Sequence, residues 1–167
     1  MPNWCVGNLR LRGKLENVKS FLKNEIMAVD NEVAVPTIFD CPYDEEFTIT
    51  KPEGRRMSPW FYINDTKRNF VDDVRIDGCM YEIDDGSADV VTIIDNFTCA
   101  WGMEPEPYLE KAKRYNLDIK MFGWERGLQF EQLIEIGRTG ELLRNECHSY
   151  SDFGEWMWNS AHPGLGG

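Results

Sequence analysis

The stretch MPNWCVGNLRLRG, residues 1–13, decides the fold. Cys5, Leu9 and Leu11 fall on one face of an extended chain, with Trp4, Asn8, Arg10 and Arg12 among the others. Period-two alternation is what a strand with one buried face produces. A strand so near the start of the chain is ordered only if later segments pair with it. Its partners must come from further along the sequence.

Gly13 ends this strand and permits a turn. Residues 14–27 then read as a helix: Leu15, Val18, Leu22 and Ile26 recur at helical spacing, and Phe21 widens the stripe. Residues 30–64 read differently. Pro36, Pro42 and Pro52 interrupt regular structure, and a loop of this length inside one domain reads as an insertion. Residues 79–83 form a short strand, Asp84, Asp85, Gly86 and Ser87 supply turn chemistry, and residues 90–99 form the most apolar strand. On that strand Val91, Ile93, Phe97 and Cys99 are expected to share a face.

Residues 105–115 read as a second helix, with Pro105 tolerated in the first turn. Tyr108, Leu109, Ala112 and Tyr115 make its apolar side, and Asn116 caps its end. Leu117, Ile119 and Met121 alternate as a strand. Glu125, Arg126 and Gly127 turn the chain into a strand over residues 128–136, and Arg138, Thr139 and Gly140 turn it again towards residues 141–150. A short helix is expected over residues 153–159. The order strand, helix, strand, strand, helix, strand matches the split βαβ, or ferredoxin-like, arrangement. The expectation is an α+β fold: one domain over residues 1–167, an antiparallel sheet with two helices on one face, an inserted loop region at 30–64 and extra C-terminal strands on an edge.

Composition bounds the function. Length and a hydrophobic content of 42% suit one domain with a core. No apolar run reaches the length of a membrane span, and Asn3, Asn8, Arg10 and Arg12 break up any leader-like segment. The expectation is a cytoplasmic protein without membrane contact. Cys5, Cys41, Cys79, Cys99 and Cys147 are widely spaced and contain no CxxC pair, so they read as buried, reduced thiols. The net charge of −11 repels nucleic acid and suits a protein partner with a basic surface.

Several short motifs point to a family. Met1, Pro2, Asn3, Trp4 and Cys5, followed by Asn8 and Gly13, resemble the opening of the YubB-like family of phage and conjugative-plasmid proteins with a ferredoxin-like domain. The second half agrees through Phe97-Thr98-Cys99-Ala100-Trp101, Pro105-Glu106-Pro107-Tyr108, the 113–117 link, Gly123-Trp124-Glu125-Arg126-Gly127, and Gly137 to Gly140. The resemblance covers roughly residues 1–23 and 89–150. It implies a mobile-element origin and a ferredoxin-like core, and it carries over no catalytic residue. The absent cysteine spacing argues against an iron–sulfur cluster.

Catalytic and metal signals are weak. The run from Asp84 to Asp89 lacks the Gly and Glu positions of a calcium loop. His148, Ser149, Tyr150, Ser151 and Asp152 hold the letters of a hydrolase triad, without evidence of its geometry. GxSxG, HExxH and P-loop patterns are absent. Trp60, Phe61 and Tyr62 near Arg55 and Arg56 are the one local hint of nucleic-acid stacking, against the wrong net charge. No cofactor, metal or direct nucleic-acid contact is expected.

The acids themselves are clustered. Residues 30–46 carry Asp30, Glu32, Asp40, Asp44, Glu45 and Glu46 with no Lys or Arg. Residues 64–89 are acidic again. Asp40, Asp44, Glu45, Glu46, Asp72, Asp73, Asp77, Asp84 and Asp85 are the candidate partner-binding residues. Clustered carboxylates complement the Lys and Arg channels of proteins that handle nucleic acid. With the mobile-element resemblance, the expected function is a non-enzymatic inhibitor of a host defence protein, of anti-CRISPR or anti-restriction type. An accessory interaction module without inhibitory role, with Trp156, Met157 and Trp158 as an apolar patch, is the alternative, and an unrecognised enzyme is a third reading.

Overall fold

Strand β1 (Trp4–Gly13) is paired on both sides along most of its length. A computed structural model describes residues 3–28, 37–40, 46–50, 61–66, 68–73 and 75–149. To one side of β1 lies β8 (Val90–Ala100), to the other β9 (Asp118–Glu125), both antiparallel. As the alternation of residues 1–13 requires, Cys5, Leu9 and Leu11 are buried and Arg10 and Arg12 are exposed. Helices α1 (Leu15–Glu25) and α2 (Glu106–Tyr115) both pack on the face that receives those apolar side chains. Among the described residues the chain is an α+β protein built mostly of antiparallel sheet.

Beyond β9 the sheet continues through β10 (Phe130–Ile136) to β11 (Leu142–Ser149), so the C-terminal strands do extend an edge. On the other side the sheet forks at β8. Its start, Val90 to Thr92, pairs with β7 (Arg75–Glu82), which carries β4 (Glu46–Thr50) and then β3 (Thr37–Asp40) outward. Its end, Phe97 to Cys99, pairs with β6 (Asn69–Val71), followed by β5 (Phe61–Ile63) and β2 (Ile26–Ala28).

The fork rests on a β-bulge. Gly7 pairs with Phe97 but Leu9 pairs with Ile94, so Asp95 and Asn96 together oppose Asn8. Asn96 takes a left-handed conformation, φ 56°, which Asn tolerates better than most residues. The bulge changes which residues point inward. Val90, Thr92 and Ile94 are buried before it, Phe97 and Cys99 after it. The expected face of Val91, Ile93, Phe97 and Cys99 is therefore corrected: Val91 and Ile93 lie on the opposite, open face.

Other boundaries also move. The helix expected over 14–27 stops at Glu25, because Ile26 to Ala28 pair with Ile63 to Phe61 as β2. The region 30–64, expected as an inserted loop, holds strands β3, β4 and β5 in its described part. The strand expected at 79–83 starts at Arg75, since β4 gives Arg75 to Cys79 partners the sequence alone does not reveal. Leu128, expected in a strand, is 59% exposed in the turn before β10. The helix expected at 153–159 lies outside the described residues. The second helix, the left-handed cap at Asn116 (φ 51°) and the inward Leu117, Ile119 and Met121 agree with the sequence reading.

Buried charges tie the elements together. Glu25, the last residue of α1, is fully covered, and its carboxylate meets Lys111 Nζ at 2.6 Å and accepts from the Tyr115 hydroxyl at 2.7 Å. Burial, with Glu25 alongside, pushes the Tyr115 hydroxyl up from its ordinary pKa. At the sheet's end, Arg138 bridges Asp89 at 2.8 Å and Asp118 at 2.7 Å, and Arg12 adds to Asp118 at 2.8 Å. Lys14 Nζ stands 3.5 Å from Asp89 Oδ1, an electrostatic contact rather than a strong hydrogen bond.

Removing one partner of a buried pair strands the other's charge. Lys111→Ala is expected to destabilise the protein by about 3–5 kcal/mol in urea unfolding, and a Glu25→Gln/Lys111→Met double variant to recover most of that loss. A second expectation concerns acid. The hydrogen bonds from Arg138 hold the Asp89 carboxyl below its ordinary pKa. A group lowered in the folded state contributes stability that is present above its unfolded value, about pH 4, and is lost as pH falls through its folded value. The thermal midpoint of Arg138→Met should therefore fall less steeply below about pH 4 than that of the parent protein.

Candidate functional site

The acidic residues sort themselves by strand. On β4 and β7, side chains alternate between the core and the open face, with Phe47, Ile49, Ile76 and Met80 buried. The alternate positions carry Glu46 and Thr48 on β4 and Asp77, Cys79 and Tyr81 on β7. The register sets Glu46 beside Cys79 and Thr48 beside Asp77. Beyond Ile93, on the same open face, β8 adds Asp95. These residues line a shallow groove of about 510 Å³ on the open face. Among the described residues its lining carries three carboxylates, Glu46, Asp77 and Asp95, against one cation, Arg75.

Asp77 is the most constrained of the three. Arg75 Nε donates to its two oxygens at 2.8 and 2.7 Å, and the Thr48 hydroxyl donates to Oδ1 at 2.8 Å. The hydrogen bond from Arg75 holds the Asp77 carboxyl below its ordinary pKa, while Asp77 raises the guanidinium. Both groups are exposed, so the pair is worth little to stability and mainly sets geometry. At the bulge, the Asp72 N–H donates to Asn96 O at 2.9 Å, and Asp73 Oδ2 accepts from Asn96 Nδ2 at 3.3 Å. These contacts hold residues 72 and 73 next to Asp95.

The structure thus brings Glu46 and Asp77 of the candidate set together in the groove, and holds Asp72 and Asp73 against Asn96, the neighbour of its Asp95. It adds Asp95, which the sequence reading missed because it sits inside the most apolar strand; the Asp-Asn pair at 95–96 was the available signal of a bulge. The backbone of Asp40 pairs with Phe47, next to Glu46. Asp44 and Glu45 lie outside the described residues. Asp84 and Asp85 do not join the groove. They occupy the turn after β7, a few residues beyond Tyr81, and neither lines the groove. There Asp85 Oδ1 accepts the Ser87 N–H at 2.8 Å, and the bonds from Ser87 lower the Asp85 carboxyl from its ordinary pKa. They are turn residues, as the turn chemistry of 84–87 predicts, and they do not line the groove.

A second hollow, of about 300 Å³, lies on the same face across β1, β9 and β10. Its carboxylates are both paired, Asp118 with Arg12 at 2.8 Å and Glu135 with Lys120 at 2.7 Å, and Arg10 adds a further cation. Glu125, the last residue of β9, is buried and accepts the Gly127 and Leu128 N–H groups of the following turn at 2.6 and 2.5 Å, a structural use of a carboxylate. His148 and Ser149 stand at the end of β11, and the other triad-like residues lie outside the described ones. Among the described residues no group of three His, Cys, Asp or Glu side chains is placed to hold a metal, and no helix is long and apolar enough to cross a membrane.

The cysteines divide. Cys5 and Cys99 are buried, as expected, and burial pushes the Cys5 thiol up to about 12. Cys79 is half-buried in the groove and Cys147 is exposed, which corrects the reading of uniformly buried thiols. Comparisons with protein-family models, curated proteins and solved structures return no match for this chain.

Thiol accessibility checks this arrangement. A maleimide applied to the native protein and located by peptide mass mapping is expected to modify Cys147 and Cys79 well before Cys5 and Cys99. Labelling of Cys5 at the rate of Cys147 would contradict the paired position of β1.

Proposed function

We propose that the chain is a non-enzymatic binder from a phage or plasmid. In this reading the β4–β7–β8 groove occupies a basic, nucleic-acid-binding surface of a host defence protein and inhibits it. The observation that carries the reading is the convergence of Glu46, Asp77 and Asp95 on one open groove, where Arg75 is the one lining cation among the described residues. A row of carboxylates on a rigid sheet imitates the spacing of charge that a Lys and Arg channel recognises. The family resemblance supports the origin in a mobile element and a place in the bacterial cytoplasm. The neighbour order β9, β1, β8, β7 and both helices on one face support a ferredoxin-like core, with β5 and β6 set between β8 and β2.

A second reading, an accessory interaction module, is favoured by Trp4. It is 37% exposed and packs edge-to-face on Phe70 at 5.9 Å. Apolar recognition through such a pair is insensitive to salt, whereas the acidic groove's binding weakens as ions screen it.

Affinity capture from a nuclease-treated bacterial lysate distinguishes the readings. The parent protein is expected to retain a nucleic-acid-handling protein at low salt and release it at moderate salt. A Glu46→Lys/Asp77→Lys/Asp95→Lys variant should lose the partner, and Asp84→Lys/Asp85→Lys should keep it. Capture that survives both salt and the triple substitution overturns the acidic-groove reading.

A further inference from the structure

Strand β11 is unusual for its length. All eight of its residues are exposed, with Leu142 and Leu143 at 45% and 61%. One edge pairs with β10 and the other has no strand beside it among the described residues. The other outermost described strands, β2 and β3, have only three and four residues. Natural sheets blunt long free edges with Pro, with charged side chains, Lys above all, or with a covering element. The sequence LLRNECHS carries neither Pro nor Lys, and its Arg144 and Glu146 are of opposite sign.

We infer that β11 is a two-fold interface through which two copies of this chain join edge to edge, antiparallel, in a continuous sheet. The register follows from the strand's own charges. Groups that face outward alternate along an edge, so a two-fold must be centred on a residue. Pairing with β10 is regular from Arg144 to Ser149, the irregularity falling at Leu143. Centring on Arg144 sets two guanidinium groups opposite each other, and centring on Glu146 sets two carboxylates opposite each other. Centring on Cys147 sets Glu146 opposite His148 and gives Arg144 no partner among the eight described residues of the strand. Centring on Asn145 places Arg144 opposite Glu146 of the second copy, and Glu146 opposite its Arg144.

Within one chain Arg144 Nη2 already meets Glu146 Oε2 at 2.6 Å, so both side chains lie on one face of the strand. The two-fold closes these pairs into an alternating quartet. Directly opposite side chains in antiparallel strands stand about 5 Å apart, where opposite charges stabilise and like charges destabilise the pairing. The occupant that fits is a second copy, because the pattern is complementary to itself.

Sedimentation of the full chain over a range of concentrations tests this. The parent protein is expected to dimerise. Arg144→Glu and Glu146→Arg, each at an exposed site, should each weaken the dimer by about tenfold or more, since each sets like charges opposite. The charge-swapped Arg144→Glu/Glu146→Arg double variant should restore it. A parent protein that stays monomeric at its highest soluble concentration overturns the inference. So does a dimer untouched by the single reversals, or one that the double variant fails to restore.

Discussion

The bulge at Asp95 and Asn96 is the constraint on which the outer half of the molecule depends. Strand β8 is bordered by β1 along its length, but its two halves serve two different outer sheets. A strict alternation from Val90 onward would turn Phe97 and Cys99 to the open face and leave the core beside Tyr108 empty. Two residues opposite Asn8 reset the parity, so Phe97 meets Tyr108 edge-to-face at 6.5 Å. The same bulge bends and twists the strand locally, which lets β6 and β7 leave β8 along separate paths. Asn96 then binds residues 72 and 73, linking β6 to β7.

Charge is distributed by use. Near β1, β9 and β10 the carboxylates Asp118 and Glu135 are held by Arg12, Arg138 and Lys120, and the buried carboxylates Glu25, Asp89 and Glu125 each hold a turn or an element junction. Satisfying such groups is obligatory, because a buried charge without partners costs more than the pair contributes. In the β4–β7–β8 groove, by contrast, Glu46, Asp77 and Asp95 share one hollow with Arg75 as the one cation among the described lining residues. A net charge of −11 says nothing of this division.

Some of it was nevertheless written in the helices. On α1, Val18, Phe21, Leu22 and Glu25 fall at helical spacing on one stripe, and on α2 so do Tyr108, Lys111, Ala112 and Tyr115. A carboxylate on one apolar stripe and an ammonium on another announce a buried pair, though neither stripe names its partner. The candidate groove was legible only in part. Glu46, Asp72, Asp73 and Asp77 stood out by local acid density, while Asp95 was hidden in an apolar strand. Asp84 and Asp85 had the same density but a turn's geometry.

The sequence by itself determined the elements that rest on local rules: the alternation of β1, the stripe of each helix, the left-handed cap at Asn116, and the turns at 84–87 and 138–140. These depend on side-chain period and on backbone conformations reached within a few residues. Only the tertiary structure decided where α1 gives way to β2, that β7 begins at Arg75, and which face Val91 and Asp95 take. Each of those rests on a hydrogen-bonding partner tens of residues away. A strand's extent and register are properties of the pair, and no local window of sequence contains both members.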